Sequence, residues 1–374
     1  MKKFIVLLFL ISYTVIHSQS IQGVSTFKNT SLDVVTDIAS ISLGESFVAN
    51  QNSNYSFFEN PAARSNKFGV HVFYYYRSHG WFNLAENLNY YSIGASVSSP
   101  LENYGLAYNQ YSTGQIPFST TEPGKTTNDI NRTFIFSYSR NIIDNFIGGI
   151  SIKLFNHSLN SSSLGNLQIT STNTFLFDFG ILYSFSGLIN NPITKDKINL
   201  GISIQNFGSD YKEKLIDLFN QEINRTLPRY LRAGFAYEIN IVPVQDRRMN
   251  IDLLFTGEYK SLINPGEPEK TNVDYWGGGI EVTLFKVISL RLGGVISPEN
   301  NVLFDRAKIT LRYGIGLNLP LEFLGLDYPL NLKFDYAFIP VNQILIDEIY
   351  GTPGKSKSNL YGFGLSLFYN GSIF

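Results

Sequence analysis

The side chains able to do chemistry are few. Beyond the first 20 residues there are three histidines, His71, His79 and His157, and none stands at a spacing that suggests metal ligands. The chain has no cysteine, which excludes disulfides and thiolate metal sites. Gly277-Gly278-Gly279, between Trp276 and Ile280, does not join a strand to a helix as a phosphate loop would, and reads as a bend or a close backbone approach. No catalytic set, metal or cofactor is expected. What remains is a set of charges, most of them between apolar neighbours: Lys153, Asp178, Arg232, Glu238, Asp252, Glu258, Glu281, Arg291, Lys308, Arg312, Lys333 and Asp335. Both signs are present. Their chemistry is electrostatic: they either pair with one another in a confined interior or line a path for polar solutes. Isolated charges are costly in a dry interior, so pairing is the expectation.

Those charges sit on strands. Over residues 307–339, Ile309, Leu311, Tyr313, Ile315, Leu317 and Leu319 alternate with Lys308, Thr310, Arg312, Gly314, Gly316 and Asn318. Leu330, Leu332, Phe334, Tyr336 and Phe338 then alternate with Asn331, Lys333, Asp335 and Ala337. Successive strand side chains point to opposite faces, so one face is apolar and the other carries charge or glycine. The runs last about 10 to 12 residues, the length a tilted strand needs to cross a bilayer. The same alternation marks roughly fourteen strands: 67–76, 88–97, 103–112, 132–139, 145–158, 172–186, 196–206, 227–239, 249–260, 273–284, 287–297, 307–319, 329–339 and 359–370. Connections after odd-numbered strands are about twice as long as those after even-numbered ones, as in barrels with long outer loops and short periplasmic turns. The fold expected is all-β, a 14-stranded antiparallel transmembrane β-barrel. In such a barrel Asp178, Arg232, Glu281, Arg291, Arg312, Lys333 and Asp335 are candidate lumen charges, and a plugged lumen is favoured over a polar solute path.

Composition agrees. Charged residues make up 16%, Phe and Tyr number 30 and 23, and net charge is −1, which gives no reason to expect nucleic acid as a partner. The start, Met1-Lys2-Lys3 followed by an apolar run over residues 4–16, reads as a secretory signal cut after Ser18. Residues 19–66 lack strand alternation, and Val34, Val35, Ile38, Ile41 and Leu43 allow one or two short helical turns. The organisation expected is a signal peptide at 1–18, a hatch segment at 19–66 and a barrel at 67–374. The location expected is the bacterial outer membrane, with its lipid as first partner.

Two regions resemble a known group. Leu43-Gly44-Glu45-Ser46-Phe47-Val48-Ala49, followed after a polar spacer by Phe58-Glu59-Asn60-Pro61-Ala62, resembles the fatty-acid-transporter-like (FadL-like) barrel superfamily, in which such an Asn-Pro-Ala segment precedes the first strand. Gly44, Asn60, Pro61 and Ala62 carry that likeness, and Glu45 departs from it, standing where a second glycine is usual. Phe334-Asp335-Tyr336-Ala337-Phe338 and the final run from Ser358 to Leu367 are similar to the PorV/PorQ branch, outer-membrane proteins of the type IX secretion system. The resemblance implies fourteen strands and an N-terminal hatch folded into the barrel. For function it implies a non-enzymatic role in type IX protein secretion, binding secreted cargo or the translocon. In the FadL branch it implies diffusion of hydrophobic small molecules.

Two outer loops are candidate partner surfaces. Loop 207–226, with Lys212, Glu213, Leu215, Ile216, Leu218 and Phe219, has the spacing of a short amphipathic helix. Loop 340–358 holds Ile344, Leu345, Ile346, Ile349 and Tyr350, an unusually apolar set.

Overall fold

A computed structural model of the chain describes residues 32, 35, 37–53, 55–63, 68–78, 89–112, 116–117, 126–161, 167–189, 191, 193–216, 222–242, 250–263, 275–296, 310–325, 328–339 and 360–369. One sheet contains β1 (Gly69–Ser78), β2 (Asn89–Ser98), β3 (Glu102–Ser112), β4 (Ile116–Pro117), β5 (Thr126–Ile143), β6 (Phe146–Ser161), β7 (Leu167–Ser171), β8 (Thr174–Ser186), β9 (Thr194–Gly208), β10 (Tyr211–Ile216), β11 (Glu222–Arg225), β12 (Tyr230–Ile241), β13 (Ile251–Leu262), β14 (Tyr275–Leu284), β15 (Ile288–Ile296), β16 (Thr310–Pro320), β17 (Leu330–Ile339) and β18 (Leu360–Tyr369). Four of the eighteen, β4, β7, β10 and β11, are short. The other fourteen pair antiparallel, neighbour to neighbour. The ring closes where β1 pairs with β18, Val70 opposite Tyr369. Among the described residues, closure leaves the ring of fourteen strands without an edge, as a sheet in lipid requires.

Alternation separates the two faces. On β15 and β16, Leu290, Leu292, Leu311, Tyr313 and Ile315 are 43–49% exposed, while Arg291 and Arg312 between them are buried. The outward face of the other long strands is also apolar, with Ile93, Leu106, Phe134, Phe179, Ile202, Phe235, Ile280, Phe334 and Phe363 all exposed. Among the described residues no second sheet covers them. A continuous apolar exterior around a closed ring is the surface of a barrel set in a bilayer.

Strand ends depart from the sequence expectation on the long-loop side. β5 and β6 run 18 and 16 residues, well past the length needed to cross. They support a sheet extension in which β7 pairs with β6 and β10, and β10 with β11. The amphipathic helix expected over 207–226 is therefore overturned: Leu215 lies on β10 opposite Ile169. The free edge of β7 offers a full ladder of backbone partners, and that tertiary pairing overrides a weak local period. Part of loop 159–171 and the end of loop 113–131 are likewise strand.

The described residues between 32 and 63 lie inside the ring and are almost all buried. They include one short helix, α1 (Ile38–Ser42), capped by Asp37, whose carboxylate accepts from Ser40 N at 2.9 Å. Val35, Ile38, Ile41, Tyr55, Phe57 and Phe58 pack on wall residues Phe73, Tyr75, Ala107, Ile135 and Ala337. Leu43, Phe47 and Val48 pack on Ala236 and Leu254, and Ala62 and Ala63 on Ile147 and Leu182. This inner segment meets strands right around the wall.

Candidate functional site

The seat of the inner segment is built from small wall residues. A Cβ placed on Gly277 would lie 1.9 Å from Gly44 O, one on Gly293 2.4 Å from Gly44 N, and one on Gly279 2.7 Å from Leu43 Cα. On the other side, a Cβ on Gly149 would lie 2.4 Å from Pro61 C, one on Gly180 1.9 Å from Asn60 Oδ1, and one on Gly201 2.3 Å from Val48 O. Only glycine lets two backbones approach this closely. Gly277 and Gly279 thus face the inner backbone, with Gly278 of alternate parity between them.

Gly44, Asn60, Pro61 and Ala62 are the contacts that use these gaps. Gly44 and Glu45 turn the chain with φ of 71° and 59°. Asn60 donates from Nδ2 to Val48 O at 2.7 Å and to Ile181 O of the wall at 3.1 Å, while its Oδ1 accepts from Ala62 N at 2.9 Å. One amide thereby ties two parts of the inner segment to each other and to β8, and Pro61 follows over Gly149 and Gly180.

The charges meet in clusters. Glu45 pairs with Arg312, lies 3.8 Å from Arg77 Nη1, and accepts from Tyr275 OH at 3.3 Å. Arg232 pairs with Glu258 and donates to Glu45 O at 3.1 Å, and Glu258 also accepts from Val48 N at 2.8 Å. Arg291 pairs with Glu281 and, at 2.7 Å, with Asp335, which Lys333 reaches at 3.1 Å. Lys153 meets Asp178 at 2.6 Å and donates to Asn206 Oδ1 at 2.9 Å. Asp178, Arg232, Arg291, Arg312 and Asp335 are buried, and Glu281 and Lys333 partly so. Glu238 accepts from Asn199 at 3.0 Å, Asp252 accepts from Asn240, and Lys308 lies outside the described residues.

Sequence reasoning missed three participants. Arg77 follows a run of tyrosines near the end of β1, and only strand parity could have turned it inward. Glu45 was visible as a departure from a pattern, and the structure gives the reason: a carboxylate there neutralises arginines on β1 and β16 at the cost of a left-handed backbone. Burial works against ionising Glu45, but the Arg312 and Arg77 guanidiniums outweigh it and hold the carboxyl down at about 2. Glu59 is the third. It is fully buried, and neither carboxylate oxygen has a hydrogen-bond partner.

Glu45→Gln is expected to leave Arg312 and Arg77 buried without counter-charge and to weaken the seat by about 3–5 kcal/mol. Heat-modifiable gel mobility and protease protection of the inner segment would measure it, and unchanged protection would show that the arginines find other partners.

The histidines have structural surroundings. His71 is buried and stacks on Phe368 with ring centroids 4.1 Å apart. His157 lies between Asp129, at 2.9 Å, and Glu213 of β10, at 3.1 Å, and so ties the sheet extension to the wall. His79 lies outside the described residues. Among the described residues no group of three or more metal-ligating side chains forms. Of the proposed partner contacts, Leu215 and Ile216 lie on β10, whereas Phe219, Ile344, Leu345, Ile349 and Tyr350 lie outside the described residues.

A concavity lies on the membrane-facing side. A groove of about 540 Å³ is lined by Tyr138, Arg140, Ile142, Gly148, Ile150, Phe179, Ile181, Ile202 and Ile204. Gly149 and Gly180 complete its floor, the same glycines against which Asn60 and Pro61 sit from inside. At this seam a single backbone layer separates membrane from inner segment.

No protein-family pattern and no curated protein matches the chain. Among solved structures it is similar to a Pseudomonas aeruginosa FadL homologue, with 11% identity, a TM-score of 0.49, and coverage of 90% of this chain and 98% of that one. It is also similar to the Pseudomonas putida toluene transporter TodX, with 10% identity, a TM-score of 0.44, and coverage of 95% and 100%. CdiB from Acinetobacter baumannii follows with 10% identity, a TM-score of 0.42, and coverage of 80% and 60%. Function has to be read from this chain's own geometry.

Proposed function

We propose that this is a non-enzymatic outer-membrane barrel that passes small hydrophobic molecules between the membrane and the interior around its inner segment. The observation that carries the reading is the seam. An apolar groove opens to lipid over glycines that leave the wall one backbone thick, with the Asn60-Pro61-Ala62 turn directly behind. Among the described residues, paired charges around Glu45, Arg232 and Arg291 lie between inner segment and wall and disfavour an axial route for a hydrophobic solute. An apolar molecule dissolved in the bilayer reaches the groove without entering water. A solute of monoaromatic or acyl character matches its Ile and Phe lining.

Type IX secretion has weaker support. The residues behind that resemblance, Phe334 to Phe338 and Leu360 to Leu367, form the adjacent wall strands β17 and β18, which any closed barrel needs.

A strain lacking the chain is expected to take up radiolabelled toluene or oleate several-fold more slowly at limiting concentration. The intact chain should restore uptake, and an Asn60→Ala, Gly180→Val variant that still assembles should not. Equal uptake of both probes with and without the chain would overturn the reading. Recovery of secretion components with the tagged barrel, alongside unaltered uptake, would favour the protein-secretion role instead.

A further inference from the structure

We propose that the outer wall carries a site for one zwitterionic aminophospholipid, its headgroup on the Glu102–Arg140 pair and one acyl chain in the groove over Gly148. The site uses the same groove as the transport reading but needs no solute to cross the wall, so lipid retention tests it separately from uptake.

The charge pair is out of place on an apolar surface. Glu102 and Arg140 are directly opposite on β3 and β5, and both share the outward parity of Leu106, Phe134 and Phe136. Arg140 Nε lies 3.7 Å from Glu102 Oε1, and both remain open to the surroundings. They stand at the short-turn end of the barrel, where residues 99–101 and 144–145 reverse the chain. Charges on the lipid face are tolerated there because that depth is the headgroup zone. Tyr104 OH and Tyr138 OH donate to the two oxygens of Glu102 at 2.9 and 3.1 Å, which fixes the carboxylate in place.

The groove begins at Arg140 and Tyr138, beside Glu102, and runs across β6 and β8 to β9. At Gly148, an outward position with no side chain, Ile142 lies down against the wall; a Cβ there would be 2.6 Å from Ile142 Cδ1 and would push it up into the groove. Ile150, Phe179, Ile181 and Ile202 form its sides. The apolar groove holds the acyl chain of any lipid alike, so the choice among lipids of matched chains rests with the headgroup. A phosphate accepts from the Arg140 guanidinium, and a primary ammonium donates to Glu102. A choline headgroup has no N–H to donate. An acidic glycerol headgroup places no cation on Glu102 and leaves that carboxylate beside its own negative charge.

Native mass spectrometry of the full chain in detergent would decide it, with phosphatidylethanolamine, phosphatidylcholine and phosphatidylglycerol of matched chains as probes. One phosphatidylethanolamine per barrel is expected, retained about tenfold better than either other lipid, the worth of a charge-assisted hydrogen bond. Glu102→Gln should erase the preference for the amine. Gly148→Leu should abolish retention of all three, and unchanged heat-modifiable mobility would show that the variants fold. Swapping the pair, Glu102→Arg with Arg140→Glu, should restore the preference. Equal retention of the three lipids, or a preference that survives Glu102→Gln, would overturn the proposal.

Discussion

Valines at Gly277 and Gly293 together are expected to unseat the inner segment and turn an occluded barrel into one that conducts ions. Both residues are wall positions facing the lumen, and Gly44 fits against them backbone to backbone. A Cβ at either would lie within 2.4 Å of a Gly44 main-chain atom. Neither wall nor segment can yield by rotating a side chain, because the clashing atoms are main chain. Relief by moving the segment pulls Glu45 away from Arg312 and Arg77 and its carbonyl away from Arg232, so overpacking and loss of ion pairs act together. Overpacking alone costs about 1–3 kcal/mol at each position, and the broken pairs add to it. The wall ladder is unaffected in principle, since valine suits a strand better than glycine. Planar-bilayer recordings should be silent for the unaltered protein and show discrete conductance steps for the double variant. Proteinase K should cut the inner segment only in the variant. Silence with intact protection would mean that contacts at Asn60 and Pro61 suffice to hold the seat.

How much of this was legible in the sequence follows from periods and distances. The strands announce themselves by a period of two, sustained over lengths that only a membrane wall needs, and the same parity turns Asp178, Arg232, Arg291, Arg312 and Asp335 inward. Nothing in that parity says which charges meet. Arg291 and Asp335 are separated by 44 residues and Glu45 and Arg312 by 267, and pairing at such separations is set by closure of the ring. The helix expected over 207–226 failed for a related reason: β10 is strand because an edge of β7 is waiting for it. The glycine triplet at 277–279 could be read as a close approach, but what approaches comes from more than 200 residues away. Glu59 gave no signal, because an acidic residue beside an Asn-Pro turn reads as solvent-facing until the turn is known to be inside a barrel.

Glu59 carries the second large expectation: the unaltered protein should hold its inner segment more firmly at pH 5 than at pH 8, and Glu59→Gln should remove most of that difference. Burial raises the Glu59 carboxyl well above its ordinary value of 4.5, and Arg232, already engaged by Glu258, offsets this only in part. The sign follows from proton binding. With its pKa raised in the seated state, Glu59 favours that state when protonated. The advantage is complete below about pH 4.5 and is lost as pH climbs through the raised value. Glu45 does not interfere, because its carboxyl is held at about 2 and stays ionised across the whole window. Asp37 acts in the same direction as Glu59, its carboxyl raised by burial against the pull of Lys333, and contributes to the slope left in Glu59→Gln, as do buried wall carboxylates that touch the segment, such as Glu258 on Val48 N. A glutamine keeps the shape and cannot ionise. At pH 8 it should therefore strengthen the seat by about 1.4 kcal/mol for each unit by which burial raises the seated carboxyl, counted no further than pH 8. Protease protection of the inner segment, titrated from pH 5 to pH 8 in both proteins, reads the difference directly. Parallel curves would mean that Glu59 finds a partner on ionising and that the interior is wetter at this turn than its burial implies.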